Sequence, residues 1–154
     1  MAAYFLDTSA LVKRYVVEAG HQWIRSLYTD RPKHTLVISQ ITLAECVATL
    51  CRKLREQSIS VTERDMFISL FYRHHRRLYS TVQVTNALCI QAGTLCQAHR
   101  LRAYDAVQLA CALAYRQRAL SHHLPAPIFV SADAQLLSFA TTEGLVTENP
   151  NVHL

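Results

Sequence analysis

The stretch that most constrains the fold is YFLDTSALVK, which occupies residues 4–13. Its apolar start ends at Asp7, and an apolar helical pattern begins at Ser9. A short apolar run followed at once by a helix start is typical of a buried strand in a sheet that helices cover. The stretch therefore predicts a strand at residues 4–6 and a helix from Ser9 to about Glu18.

The same alternation continues along the chain. Further short apolar runs that predict strands lie at residues 36–38, 82–84, 128–130 and 145–146. Longer helical patterns separate them, and short strands that alternate with longer helices indicate a parallel sheet covered on both faces. We therefore predict an α/β fold, a three-layer α/β/α sandwich with a central, mostly parallel sheet of about 4–5 strands.

Several helix starts carry capping residues. Thr42 with Glu45, and Ser60 with Glu63, match the capping box, in which each side chain satisfies a free backbone N–H group. Thr85 can cap a helix that runs to about residue 99.

Length and composition restrict the class of protein. The chain has 154 residues, of which 51% are hydrophobic and 18% charged, so we expect one folded domain over residues 1–154. No apolar run reaches the roughly 18 residues of a transmembrane helix, and no basic stretch precedes an apolar one at the start, so we expect a cytoplasmic protein. The five cysteines form no C-x-x-C pair, which predicts buried thiols rather than a disulfide framework or a zinc ribbon.

Acidic side chains occupy the places where a parallel α/β sheet forms its sites. Asp7 and Asp133 follow strands, and Glu45 and Asp105 lie in first helical turns. Ligands bind beyond the carboxyl ends of parallel strands. Carboxylates about 4 Å apart repel by roughly 4 kcal/mol per pair at an effective dielectric constant of 20, so such a cluster needs a cation or raised pKa values.

Oxygen ligands alone favour a hard ion, Mg²⁺ or Mn²⁺. A metal held by carboxylates can activate water and neutralise a scissile phosphate, which points to metal-dependent phosphoryl chemistry. Each acid also has a purely structural interpretation, since acids stabilise helix starts. Glu45 can belong to the capping box of Thr42, Asp133 can be an N-cap, and Asp7 can cap the helix at Ser9.

Four segments, in order, resemble the PIN domain, the nuclease domain of VapC-type toxins. They are YFLDTSALVK at residues 4–13, ITLAE at 41–45, RAYDAVQLA at 102–110 and FVSAD at 129–133. The ending, GLV at residues 144–146 followed by NPN at 149–151, is also similar to the C-terminal strand and tail of that family. The resemblance spans nearly the whole chain.

The resemblance implies a ribonuclease that depends on Mg²⁺ or Mn²⁺ and serves as the toxin of a type II toxin–antitoxin pair. Its catalytic and metal-binding carboxylates would be Asp7, Glu45, Asp105 and Asp133. Its supporting hydroxyl groups would be those of Ser9, Thr8 and Ser131. The partners implied are an RNA substrate, a cognate antitoxin and a second copy in a homodimer.

A net charge of +5 permits a polyanionic partner. The candidate RNA-binding residues fall into a basic cluster and a pair close to Asp105, and they are Arg73, Arg76, Arg77, Arg100 and Arg102. Cations at a helix end also have a structural interpretation, because they offset the helix dipole. We expect Arg52, Lys53 and Arg55 to form a solvated helix face.

Three functions remain open from the sequence. The first is an RNA-cleaving toxin. The second is a PIN-like module that binds RNA or protein without catalysis. The third is an RNA-maturation nuclease that is not a toxin.

Overall fold

The computed structural model describes residues 1–29 and 34–153. Within these ranges, five strands form one sheet: β1 (Ala2–Leu6), β2 (His34–Ser39), β3 (Tyr79–Val82), β4 (Ile128–Val130) and β5 (Val146–Glu148). Their order is β3-β2-β1-β4-β5, and every neighbouring pair is parallel. The predicted three-layer fold is confirmed, with β1 at the centre of the sheet.

Helices cover both faces of this sheet. Those in the described part of the chain are α1 (Thr8–Leu11), α2 (His21–Thr29), α3 (Thr42–Arg55), α4 (Val61–Leu78), α5 (Asn86–Ala98), α6 (Ala103–Ser121) and α7 (Ala134–Thr142). Two 3₁₀ turns accompany them, at Val12–Arg14 and Pro150–Val152. Among the helices described, none is both long and apolar enough to cross a membrane.

The strands send alternate side chains to opposite faces, because successive residues of a strand point in opposite directions. Phe5 and Phe129 lie in the core beneath α5, α6 and α7, where their rings stack with centroids 5.8 Å apart. Leu6 and Val130, one position further along, lie in the core formed with α1 to α4. Burial of side chains this size contributes roughly 1.5–3 kcal/mol each, so both helical layers are held to the sheet.

The helix predicted from Ser9 to Glu18 is wrong in length. α1 ends at Leu11 and the chain tightens into the 3₁₀ turn. Lys13 explains the change, because its ammonium group is buried and must be paired. It donates to Glu18 Oε1 at 3.1 Å and to the Ala19 carbonyl at 2.9 Å, which holds the chain in a turn.

The third strand also lies earlier than predicted. Tyr79 to Val82 pair with β2 in direct continuation of α4, whereas Val84 lies beyond the strand. The hydroxyl groups of Tyr28 and Tyr79 are 2.7 Å apart and anchor the start of β3, and the Val84 N–H group donates to the Gln40 side chain instead of a strand.

Two of the three predicted hydroxyl caps are confirmed, and Asp7 also caps α1, because its side chain accepts a bond from the Ser9 N–H group. Ser60 forms a complete capping box with Glu63, and Thr85 accepts a bond from the Leu88 N–H group. The box predicted for Thr42 and Glu45 does not form, because the cap position is Ile41 and no side chain caps the helix. Both side chains are directed into a polar network at the carboxyl edge of the sheet.

Candidate active site

The four predicted acids line one cavity of about 430 Å³ at the carboxyl edge of the sheet. Asp7 follows β1 and Asp133 follows β4, while Glu45 and Asp105 lie in the first turns of α3 and α6. Asp105 reaches this edge because α6 begins there. Residues as far apart as 7 and 133 in sequence therefore meet in one cavity.

Asp7 is held in a fixed orientation by two serine hydroxyl groups. Its Oδ2 accepts hydrogen bonds from Ser9 Oγ at 2.6 Å and from Ser131 Oγ at 3.0 Å. The residue is only 5% exposed. Burial raises the pKa of Asp7, and the two serine hydrogen bonds oppose that shift.

The same serines join the ends of β1 and β4. Ser9 Oγ accepts a bond from the Ala132 N–H group at 2.9 Å, and Ser131 Oγ accepts one from the Asp133 N–H group at 3.1 Å. The Asp7 N–H group donates to the Val130 carbonyl at 2.9 Å. The geometry therefore places both predicted serines against Asp7.

Glu45 is held in a similar way by Thr8 and Gln108. Its Oε2 accepts a bond from Thr8 Oγ1 at 2.7 Å and another from Gln108 Nε2 at 2.6 Å. Burial raises the pKa of Glu45 first, and the charge of Asp7 adds to the shift, while Thr8 and Gln108 oppose it. The third predicted hydroxyl, that of Thr8, thus contacts a carboxylate of the cavity.

Sequence reasoning missed Gln108. Its side chain is fully buried, and its Nε2 also lies 3.0 Å from Thr42 Oγ1. Its Oε1 has no hydrogen-bond partner within the described residues. One signal could have found it: a lone amide three residues after Asp105, on the same helix face, within a run of apolar residues.

Asp133 combines a structural role with its place in the cavity. It is the N-cap of α7, and its Oδ1 accepts bonds from the N–H groups of Gln135 at 2.8 Å and Leu136 at 3.1 Å. The capping interpretation therefore holds for Asp133. It does not exclude a second role, since the residue also lines the cavity.

The pKa of Asp105 reflects both its burial and its repulsion by the other acids. Burial is the largest cause that raises its pKa, to about 6, and the charges of Asp7, Asp133 and Glu45 add to it in that order. Arg102 opposes the shift. The cavity is therefore short of positive charge when all four carboxylates are ionised.

A second cavity, of about 760 Å³, adjoins the first and shares Arg102, Asp105 and Asp133 with it. We call the two together the carboxylate groove. Arg55 lines only the first cavity and Arg100 only the second. Asp105 and Asp133 therefore lie where the two cavities adjoin.

The arginines of the groove are partly those predicted. Arg100 and Arg102 line it, as their closeness to Asp105 in sequence suggests. Arg52 and Arg55, expected on a solvated face, line it as well. Lys53 is directed elsewhere and donates to Glu18 Oε2 at 2.6 Å.

The basic cluster of α4 is not part of the groove. Arg73, Arg76 and Arg77 line neither of its cavities, and Arg77 lines a separate cavity beside His34 and Tyr79. That cavity contains the first residues of β2 and β3, at the opposite edge of the sheet. RNA binding by this cluster remains a prediction.

A further cavity lies away from the acids. It measures about 770 Å³ and lies between β3 and the second half of α6, with Tyr115, Arg118 and His122 in its lining and no carboxylate among its described residues. The groove is therefore the candidate active site because it contains the four carboxylates, and not because of its size.

The donor set of the groove suits a hydrated hard cation. Carboxylate oxygens are the ligands that Mg²⁺ and Mn²⁺ prefer, and after burial the charges of the other three acids raise the pKa of Asp105, which a cation would offset. No three acid, histidine or cysteine side chains of the described ranges already form a closed metal-binding group. Mg²⁺ commonly keeps several waters and contacts only one or two carboxylates, so this arrangement fits it.

The profile of the PIN domain family matches residues 4–140. That range is most of the chain, and the chain therefore belongs to the PIN domain family, whose members are ribonucleases. The comparison with curated proteins found no match.

Solved structures share the fold at low sequence identity. VapC20 of Mycobacterium tuberculosis, a toxin that cleaves the sarcin–ricin loop, is 17% identical, with a TM-score of 0.64 over 93% of this chain and 96% of that one. VapBC2 of Rickettsia felis, solved with a DNA fragment from its promoter, is 17% identical, with a TM-score of 0.55 over 96% and 98% of the two chains. FitAcB of Neisseria gonorrhoeae is 16% identical, with a TM-score of 0.57 over 98% and 99%.

Proposed function

We propose that this chain is an endoribonuclease that requires Mg²⁺ or Mn²⁺ and hydrolyses RNA phosphodiester bonds. The observation that carries the proposal is the convergence of four carboxylates from distant parts of the chain on one groove, where the charges of the other three add to burial in raising the pKa of Asp105. A structural role alone does not account for this repulsion, because acids at helix starts need not face one another.

Asp7, Glu45, Asp105 and Asp133 would hold the divalent ion, directly or through its bound waters. The ion, when bound, would activate water and neutralise charge at the scissile phosphate. Ser9 and Ser131 orient Asp7. Thr8 and Gln108 orient Glu45. These hydrogen bonds hold both carboxylates in fixed rotamers before a cation binds.

The groove arginines would bind the RNA backbone. Arg52 and Arg55 line the first cavity of the groove, Arg100 lines the second, and Arg102 lines both. Guanidinium groups pair well with phosphate oxygens. A strand bound along the groove would then place one phosphate at the carboxylates.

We further propose that the protein is the toxin of a type II toxin–antitoxin pair and forms a homodimer in the cytoplasm. The fold it shares with VapC20 supports this, as do the toxin–antitoxin assemblies among similar structures.

Growth arrest on expression that is lost in Asp7→Asn and relieved by co-expression of a neighbouring small protein would distinguish a toxin from a maturation nuclease. Sedimentation equilibrium measures the dimer.

The decisive experiment is cleavage of total RNA by purified protein with Mg²⁺, with Mn²⁺ and with excess EDTA. Asp7→Asn is the test variant, and Asp65→Asn is its charge-matched control, because Asp65 is exposed and pairs with Arg64 outside the groove. We expect discrete, metal-dependent fragments from the wild type and from Asp65→Asn, and none from Asp7→Asn.

The other outcomes discriminate between the candidate functions. RNA that binds but stays intact with both metals would favour the binding module. Cleavage that persists in EDTA would contradict the metal-dependent mechanism.

A further inference from the structure

Tyr104 occupies an unusual place for an aromatic side chain. It is the second residue of α6, directly before Asp105, and it is 63% exposed. Its side chain lines the carboxylate groove together with Arg52 and Arg55.

Among the described residues, Tyr104 belongs to neither apolar core. Within residues 1–29 and 34–153, it pairs with no other aromatic ring. Tyr15, by contrast, stacks on His74, and Tyr28 shares a hydrogen bond with Tyr79. A single exposed aromatic is ordinary on a protein surface, but this one lies beside a cluster of acids in a groove.

The groove around Tyr104 leaves room for a flat group. Ala48 and Thr49 of α3 line the same cavity and are small. Arg52 and Arg55 extend from the next turns of α3, so guanidinium groups and an aromatic ring line one space. Unpaired nucleobases bind in such settings, with the base on an aromatic ring or guanidinium plane and the phosphates on cations.

We propose that Tyr104 is a stacking platform for an unpaired base next to the scissile phosphate, so that the groove takes single-stranded RNA in preference to duplex. The inference rests on the proposed ribonuclease function. In a duplex, both faces of each internal base are covered by neighbouring bases, and no face remains for the tyrosine ring.

Binding can be measured apart from cleavage in the Asp7→Asn background. The probes are a fluorescein-labelled 12-nucleotide RNA without self-complementarity and the same strand in a full duplex, both read by fluorescence anisotropy at fixed low salt. Tyr104→Ala removes the ring, and Tyr104→Phe keeps it. Tyr72→Ala is the matched control, because Tyr72 is exposed (44%) beside an arginine of α4 but lies outside the groove.

We expect Tyr104→Ala to weaken binding of the single strand by about 5- to 150-fold, the range that stacking of one base on an aromatic ring provides. Tyr104→Phe and Tyr72→Ala should bind it within about twofold of the parent. The duplex should bind more weakly than the single strand, and Tyr104→Ala should change its affinity little, because phosphate contacts dominate there.

Unchanged single-strand binding by Tyr104→Ala would overturn the proposal. So would an equal loss on duplex, or a loss in Tyr104→Phe as large as in Tyr104→Ala. Cleavage by the wild type, measured in parallel with Mg²⁺ and Mn²⁺, distinguishes failure of the stacking proposal from failure of the ribonuclease proposal. Cleavage with unaltered binding in Tyr104→Ala removes only the stacking role, whereas absence of both cleavage and RNA binding in the wild type contradicts the ribonuclease proposal itself.

Discussion

Asp7 and Glu45, on one side of the carboxylate groove, accept hydrogen bonds from the hydroxyl groups of Ser9, Ser131 and Thr8. Asp133, on the other side, accepts bonds only from backbone N–H groups within the described residues. Asp105 has a pKa raised to about 6 by burial and by its acidic neighbours.

The contrast separates two tasks. The first side is organised by the protein itself, since its carboxylates are oriented by side chains before any ligand arrives. On the second side, Asp133 is exposed, and burial together with the charges of the neighbouring acids raises the pKa of Asp105. We therefore expect substitutions on the first side to impair chemistry most, and substitutions on the second side to alter electrostatics.

The largest effect should come from Asp7→Asn. It removes a charge at the organised side but leaves an amide oxygen that can accept the serine bonds, so the fold should survive. Mutation of an outer-shell partner of a metal ligand typically lowers activity by about 10- to 100-fold. Loss of the charge of a ligand itself should therefore lower cleavage by more than about 100-fold. RNA cleavage measures the loss, and circular dichroism verifies the fold. A well-folded variant that still cleaves would remove Asp7 from the mechanism.

Gln108→Leu should follow, with a loss of about 10- to 100-fold in cleavage or metal affinity. Leucine has a similar size but cannot donate to Glu45, so the carboxylate loses one of its two anchors. Mn²⁺ titration followed by electron paramagnetic resonance reads metal affinity without turnover. Gln91→Leu, on the exposed face of α5, is the control. Wild-type Mn²⁺ affinity and cleavage in Gln108→Leu would mean that the amide serves packing alone.

Arg102→Ala tests the second side. Loss of one phosphate contact with a single strand should lower the slope of log affinity against log salt by about 0.7. Arg73→Ala, from the basic cluster of α4, is its matched comparison, and binding of labelled RNA across a salt series measures both. A larger change in Arg73→Ala would place the RNA on α4 instead of the groove.

The smallest expected change is in the stability of Asp105→Asn without metal, and this change should be stabilising. The pKa of Asp105 is about 6 in the folded protein against an ordinary value of 3.8, so the folded state binds this proton more tightly than the unfolded chain does. The ionised group therefore lowers stability at pH 7, and this penalty fades as the pH falls from above 6 toward 4.

The group is half-buried and partly screened, so we expect Asp105→Asn to raise the melting temperature in EDTA by only about 2–4 °C at pH 7, roughly 1 kcal/mol for a domain of this size. The gain should shrink at pH 4. Calorimetry at both pH values measures it. A lower melting temperature at pH 7 would mean that Asp105 serves mainly as a helix-start residue.

Local patterns predicted most of the fold and the acids of the groove. Apolar runs located β1, β2, β4 and β5 but misplaced β3, and Ser60 and Thr85 located helix starts, because these signals depend on nearby residues. The helix after Ser9 was predicted too long because Glu18, which pairs with Lys13, is also held by Lys53 of α3, and that second pairing is a tertiary contact. The box at Thr42 failed for the same reason, since Gln108 reaches both of its side chains from α6.

The arginines that line the groove could also be predicted only in part from local sequence. Sequence placed Arg100 and Arg102 near Asp105 because they are neighbours along the chain. Nothing local distinguishes Arg52 and Arg55 from Lys53, yet the direction in which each leaves α3 decides whether it meets the groove or Glu18.

The central position of β1 also sets when the groove can form during translation. Ser131 donates to Asp7 across 124 positions of sequence, and β1 gains its neighbour β4 only when residues 128–130 are available. A ribosome delivers Asp7 well before Ser131 and Asp133. A nascent or truncated chain that stops before Ser131 therefore lacks one acid of the groove and an anchor of another, and the groove becomes complete only after residue 133 has been added.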